Sequence, residues 1–352
     1  MADSRLNAPQ LSIVIPVYNG GESFRKCLDS VRRWGASSEV IVVSDGDSDG
    51  SWKLAEDYGC RVIRLSASGG PARARNIGAK AASGSILLFI DADVELQPTT
   101  VLRTIFAFQQ HPEIAALIGS YDDAPGAENF LSQYKNLFHH YTHQGAREEA
   151  STFWGACGAV RRDVFFELGG FDESYRRPCV EDIELGYRIR QAGYGIRLCK
   201  HIQVKHLKHW TWFSLLRAEV FYRALPWTAL LLRIKKVHPD QYRLFSRDLN
   251  LKWSSRLSVV LVYAMGLLAM MAVYWSGGVW LAIACGIGLV WINWPVYSFF
   301  HRKRGKWFAL RVLPWHWLYF FYSGLAFALG SVRHHWQEGP GKRLAVFRMS
   351  AS

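Results

Sequence analysis

Along its first two hundred residues the chain alternates short apolar runs with segments of helical spacing. LSIVIPV occupies 11–17 and EVIVVSD occupies 39–45. RVIRL at 61–65 and SILLFI at 85–90 complete four candidate strands. The spacing predicts helices from Glu22 to Arg33, from Trp52 to Tyr58 and over 71–82. Pro71 opens the last of these, where the missing N–H costs nothing. Near-continuous apolar runs belong to strands covered on both faces, which means a parallel sheet with helices on either side. The expected fold is therefore α/β, Rossmann-like, with a mostly parallel central sheet. In such sheets ligands bind beyond the carboxyl ends of the strands. Polar clusters fall at those ends: PVYN at 16–19, SDGDSDG at 44–50 and DAD at 91–93.

The pattern changes near residue 206. HLKHWTWFSLLRAEVFYRALPWTALLLRIKK (206–236) mixes basic, aromatic and aliphatic residues. Its charges keep it from spanning a bilayer but allow it to lie along one, so 206–250 is expected to form amphipathic interfacial helices. Two stretches without charge follow, 257–276 and 277–300, each long enough for a hydrocarbon core of ~30 Å. Arg247, Lys252 and Arg256 precede the pair, and HRKRGK (301–306) follows it. The positive-inside rule makes the pair a hairpin with both ends in the cytoplasm. A third apolar stretch, 312–332, contains His316. If it spans, the basic tail at 336–352 falls outside, against the charge rule. A third span and a re-entrant or interfacial helix both stay open. The expected organisation is a cytoplasmic domain over 1–205, the interfacial helices, a transmembrane region over 251–335 and the tail. MADSRLNAPQ has no basic region leading into an apolar core, so no signal peptide is expected.

Charge and composition sharpen this. A net charge of +13 and a pI near 9.5 favour phosphate-bearing partners, either nucleic acid or an anionic membrane. Most of the 15 tryptophans lie beyond residue 200, beside the apolar stretches, which favours the membrane. The cations cluster there too, while the acidic strand ends repel phosphates unless a metal intervenes, so nucleic acid is not an expected partner. The six cysteines are scattered with no CxxC pair, which argues against a disulfide framework or a zinc site and fits a reduced, cytosolic setting.

The sharpest chemical signal is LLFIDADVELQP (87–98), an apolar strand that ends on Asp91 and Asp93. The i, i+2 spacing puts both carboxylates on one side of an extended segment. Two hard oxygen ligands so placed suit Mg²⁺ or Mn²⁺ bridging a diphosphate. A solvated turn with a capping aspartate would use the same residues. The rigid strand before them and the other polar loops at that sheet edge favour the metal–nucleotide reading.

Together with IVIPVYNGG (13–21), VVSDGDSDG (42–50), GGPARARNIGAKAASGSILLFIDADVELQP (69–98), WGACGAVRRDVFFELGGFDE (154–173) and EDIELGYRIRQAGYGIRL (181–198), the chain resembles a family 2 glycosyltransferase of the GT-A fold over about residues 10–230. The resemblance makes 1–205 the catalytic domain. It implies a nucleotide-sugar donor, a divalent cation (Mg²⁺ or Mn²⁺) and inversion at the anomeric carbon. Pro16 and Tyr18 resemble the wall of the base pocket, and Asp45 the acid that reads the nucleobase edge. Ser44 stands where the family often has Asp. Asp47 and Asp49 fit helix capping as well. Arg75 resembles the arginine facing the diphosphate. Asp91 matches the family residue facing ribose or sugar, and both Asp91 and Asp93 match its metal-binding DxD. His206 sits where some members place a metal or diphosphate ligand.

For the acceptor, an in-line displacement needs a carboxylate opposite the leaving group. Asp182 matches the family's base, with Glu181 beside it, although acids at a helix start also favour the dipole. Gly155, Ala156 and Cys157 match the acceptor side, and tight core packing explains them equally well. The three histidines of the 119–153 loop region fit a solvated helix as well as a site. No Gln-x-x-Arg-Trp follows the acidic motif, which speaks against a polymer-extruding synthase. The expectation is transfer of one sugar, from a UDP-linked donor, to a lipid or lipid-linked acceptor at the cytoplasmic membrane face. A polyprenyl-phosphate acceptor, as in dolichyl-phosphate sugar synthases, stays open. A non-catalytic membrane scaffold is the rival class; it would need none of Asp45, Asp91, Asp93 and Asp182.

Overall fold

The computed structural model describes residues 11–35, 38–239, 242, 245 and 252–337, and it divides into two units, the second beginning at Leu216. MADSRLNAPQ, Arg247 and most of the expected basic tail lie outside the described residues.

The first unit carries strands β1 (Leu11–Val17), β2 (Glu39–Asp45), β3 (Arg61–Leu65), β4 (Ile86–Ile90), β5 (Val94–Leu96), β6 (Ile114–Tyr121), β7 (Glu149–Ala150), β8 (Cys157–Arg161) and β9 (Gly195–His206). They form one sheet in the order β3-β2-β1-β4-β8-β6-β9-β5, with β7 on β9. From β3 to β4 the strands are parallel, as the unbroken apolar runs require. Beyond β4 the sheet is mixed, because β8 runs antiparallel to both β4 and β6. The helices are α1 (Gly21–Trp34), α2 (Ser51–Asp57), α3 (Pro71–Ala81), α4 (Thr100–Gln110), α5 (Phe130–Gln144), α6 (Arg162–Glu167) and α7 (Glu181–Gln191).

Both faces of the sheet are covered. Ile13, Ile15, Val42, Leu88 and Ile90 share one core with Phe24 and Leu28 of α1. Val14, Ile41, Val43, Leu87 and Phe89 share the other with Ala72 and Ala79 of α3 and Leu185 and Ile189 of α7. The side chains of β4 are fully buried, and each such burial contributes about 1.5–3 kcal/mol. That rigid strand delivers Asp91 and Asp93 to its end. Two registers matter there: β4 pairs Ile90 with Cys157, and β5 pairs Val94 with His206.

The second unit is helical. It holds a π-helical segment, Ala218–Ala224, then α9 (Leu225–Val237), α10 (Trp253–Met271), α11 (Gly277–Ile292), α12 (Trp294–Arg304) and α13 (Lys306–Gln337); α8 (Trp212–Arg217) lies at the border of the units. The π turn lies just before Pro226, which has no N–H for the carbonyl four residues back. Among the described residues only α10 is long and apolar enough to cross a bilayer by itself. The expected span 277–300 is not one straight helix. It stops at Ile292, turns at Asn293 and resumes as α12 at an angle of 65°. Asn293 is buried, its amide bonded to the Ser258 hydroxyl and the Leu289 carbonyl, and Pro295 follows two residues later. The stretch 312–332 lies inside the single helix α13, which runs through Pro314 and carries Lys306, Arg311 and Arg333. Val262, Leu289 and Phe320 form the small core that joins α10, α11 and α13.

Candidate active site

The carboxyl ends of β1, β2 and β4 bring most of the expected donor-side residues to one edge. Pro16 lies in β1 opposite Val43 of β2. Tyr18, just past the strand, is 59% exposed, a free aromatic face beside the end of β2. Asp45 ends β2 and is buried; its carboxylate accepts from the Ser68 hydroxyl (2.7 Å), the Gly69 N–H (2.9 Å) and the Gly70 N–H (2.9 Å). A carboxylate has about four lone-pair sites, so these three bonds leave one of them for a further donor. Gly70 has φ +93°, and a Cβ there would meet the Arg176 backbone. Asp49 takes the turn role: it accepts from the Ser51 and Gly21 N–H groups. Asp47 accepts from the Ser44 hydroxyl.

Helix α3 sits close to the sheet through small residues; a Cβ on Gly78 would stand 2.4 Å from Val14 Cγ1. This brings Arg75 down onto the strand ends, 4% exposed. Its guanidinium bridges Asp91 (2.7 Å) and Glu181 (2.9 Å). Burial lowers the affinity of Arg75 for its proton, but Asp91, Glu181 and Asp182 outweigh this and hold it firmly charged. Glu181 is itself buried and also accepts from the Cys179 N–H. Its work here is to hold Arg75.

Asp182 opens α7 differently. Oδ2 accepts from the Gly155 N–H (3.0 Å), and Oδ1 accepts from the Ile183 N–H (2.8 Å). Burial first, then the charge of Glu181, pushes its carboxyl up to about 7, against the pull of Gly155 and Arg75. Gly155 has a second duty, since a Cβ there would lie 2.8 Å from Arg75 Nη2. Ala156 and Cys157 are buried, and the Cys157 thiol is pushed up to about 12 by burial, so both serve packing in this structure.

Asp93 has a different partner from Asp91. The β5–β9 register sets it beside His206, Oδ2 to Nε2 at 3.6 Å. Burial raises the carboxyl of Asp93, but the imidazole and Lys208 overcome it and hold the group near 2. His206 Nδ1 meets Asn136 Oδ1 at 2.7 Å, and the Asn136 amide N–H₂ reaches the His206 carbonyl at 3.4 Å, which fixes the Asn orientation. Nδ1 therefore donates to Asn136, which leaves Nε2 and the Asp93 carboxylate facing each other. This pair of donors fits Mg²⁺ or Mn²⁺ with the remaining positions left to oxygen ligands. Asp91, tied to Arg75, is not brought to that pair, and among the described residues no three His, Cys, Asp or Glu side chains form a ready cluster.

Three features escaped the sequence reading. Asn136 orients His206 from α5, seventy residues away. The histidines of that helix are not solvated: His140 and His143 are buried, with Nδ1 on the carbonyls of Tyr121 (2.7 Å) and Gly119 (3.1 Å). Burial holds His143 down to about 4, hence neutral. Lastly, Gly186 of α7 lies on the backbone of Thr152 and Phe153; a Cβ would stand 2.1 Å from Phe153 N. Glycine to alanine stabilises an exposed helix by about 0.5–1 kcal/mol. Here the sign reverses. Gly186→Ala lowers Tm and impairs transfer together, as seen by thermal melts beside rate measurements, because the 152–155 segment that holds Asp182 must move. An unchanged Tm would show that the segment can give way.

Known proteins share this architecture. The model of "Glycosyl transferase family 2" matches residues 12–169, and that of the "N-terminal domain of galactosyltransferase" matches 135–210. YibD of Escherichia coli, named an uncharacterized glycosyltransferase, is 40% identical over 96 residues, which are 26% of this chain and 28% of YibD. The O-antigen chain rhamnosyltransferase RfbN of Salmonella typhimurium is 24% identical over 238 residues, 62% of this chain and 74% of its own. The chain thus spans about a quarter of the first relative's length and about three quarters of RfbN. Among solved structures, the mannosyltransferase PcManGT of Pyrobaculum calidifontis, in complex with GDP-Man and Mn²⁺, superposes with a TM-score of 0.56 at 15% identity, covering 95% of this chain and 89% of its own. Residues 12–169 thus carry a glycosyl transferase family 2 domain, built on a sheet of the GT-A fold.

Proposed function

We propose that the protein transfers a single sugar from a nucleotide-sugar donor, UDP-linked, to a lipid or lipid-linked acceptor at the cytoplasmic face of a membrane, with inversion and with a divalent cation. The observation that carries the reading is Arg75. One buried guanidinium ties Asp91 of the donor-side strand end to Glu181, the neighbour of Asp182.

In this reading Pro16 and Tyr18 wall the base, Asp45 meets its edge and Asp91 faces the ribose or sugar. Asp93 and His206 hold the cation, which when bound would neutralise charge growing on the diphosphate. Asp182 takes the proton of the attacking acceptor hydroxyl. Gly155 and Ile183 keep its carboxylate aimed, and Arg75 with Glu181 keeps the helix start in place. The relative named for O-antigen chain rhamnosyl transfer and the neighbour bound to GDP-Man widen the donor set to be tested. The lipid acceptor and the inner or plasma membrane location rest on α10 of the second unit, which can span, and on the exposed Trp212, Phe213 and Phe221 of the expected interfacial segment.

The test is hydrolysis of a panel of UDP- and GDP-sugars by the detergent-purified chain, with Mn²⁺ and with EDTA. One donor should be consumed only with the metal, and Asp93→Ala should abolish it. Asn136→Ala, which frees His206, should weaken Mn²⁺ binding by about 10–100-fold in calorimetry. Consumption indifferent to EDTA would remove the cation from the scheme. If no donor is consumed under any condition, the scaffold reading takes its place.

A further inference from the structure

Trp154 stands immediately before Gly155, the residue whose N–H holds Asp182. Its indole is half-buried, and three rings brace it. Tyr121 meets it edge-on at 4.7 Å, His143 edge-on at 5.1 Å, and His139 at 5.0 Å with a tilt of 31°. Tyr121 in turn lies flat on His206, 4.4 Å away at 11°. A run of rings therefore leads from the imidazole that faces Asp93 to an indole beside Asp182. Helix α5 is clamped in place by the His140 and His143 bonds to strand carbonyls. The indole also packs against both cores of the sheet, and the part of it that stays accessible is a rigid platform.

The chemistry at this point is an aromatic face next to a carboxylate. That pairing matches a pyranose. The C–H groups on the flat side of a sugar ring carry partial positive charge and are drawn to the negative face of an aromatic ring. The hydroxyls at its rim donate to a carboxylate. A phosphate acceptor would need a free cation at the same spot, but Arg75, the guanidinium nearest in charge to Asp182, is committed to Asp91 and Glu181.

We propose that Trp154 is the floor of an acceptor subsite, and that the acceptor presents a sugar ring there, one hydroxyl offered to Asp182. The inference rests on the transferase reading and narrows it to a saccharide-bearing acceptor. The test uses the full chain, Mn²⁺ and the donor found by hydrolysis. Octyl glycosides of glucose, galactose, mannose and rhamnose are offered as acceptors, with farnesyl phosphate beside them. At least one glycoside should be extended. Trp154→Ala should raise the KM for that glycoside about tenfold, with a much smaller change in the KM for the donor, and Trp154→Phe should recover most of the loss. Transfer to farnesyl phosphate alone overturns the proposal. So does transfer to no glycoside by a preparation that hydrolyses the donor, and so does a Trp154→Ala variant with unchanged glycoside KM. Absence of donor hydrolysis in the unaltered chain is a different result: it removes the transferase reading itself, and this inference with it.

Discussion

Asp182→Asn should cut the rate of transfer by about 10²–10⁴-fold while the KM for the donor stays near that of the unaltered chain. The amide oxygen can take over one of the two bonds, from Gly155 or from Ile183, while the amide N–H₂ leaves the other N–H unpaired, so a thermal melt separates that structural cost from the loss of the base. What is lost is the capacity to take a proton. The pH profile makes the assignment specific. Burial and the adjacent Glu181 charge push Asp182 up to about 7. A base works only when deprotonated, so kcat should climb with pH up to about 7 and level off above it. The Asn variant should show its residual rate without that limb. A limb that survives the substitution would place the base elsewhere. A small loss at every pH would point to an acceptor that is already an anion, such as a phosphate.

Arg75→Met should produce the largest loss of stability, about 3–5 kcal/mol, seen as a fall in Tm or in the denaturant midpoint. Methionine fills much of the volume but leaves Glu181 charged and buried with only the Cys179 N–H for company. It also frees Asp91 and removes the guanidinium that lies 5.4 Å from the Phe171 ring. Arg75→Lys keeps the charge, yet one ammonium cannot reproduce a fork that reaches Asp91 and Glu181 at once, so it should fall between the two. Pairing Arg75→Met with Glu181→Gln should recover part of the loss, since the second change removes the stranded charge. No recovery would mean that the two side chains act independently.

Much of the first unit could be read from the chain because both faces of its sheet are buried. Under that condition each strand must be apolar throughout, and a polar residue at its end stands out, as Asp45, Asp91 and Asp93 do. The other half of the site depends on antiparallel registers that no local pattern encodes. The meeting of Asp93 with His206 follows from the pairing of Val94 with His206 across more than a hundred residues. Asn136 and the histidines of α5 sit in a segment with no motif, so their convergence on Trp154 and His206 is visible only once β6, β8 and β9 lie side by side. In the second unit a signal was present. Asn293 and Pro295 mark a break, but the absence of charge from 277 to 300 reads as one uninterrupted span.

That break has a physical consequence. At 1.5 Å per residue, the 16 residues of α11 reach about 24 Å, and the chain then turns aside at Asn293. Set in a bilayer, such a helix falls short of an average acyl layer by several ångströms. The lipids around it would have to compress, or the helix would gather where the membrane is already thin. Acyl-chain length would then tune how comfortably the enzyme sits, and with it where in a heterogeneous membrane the enzyme collects.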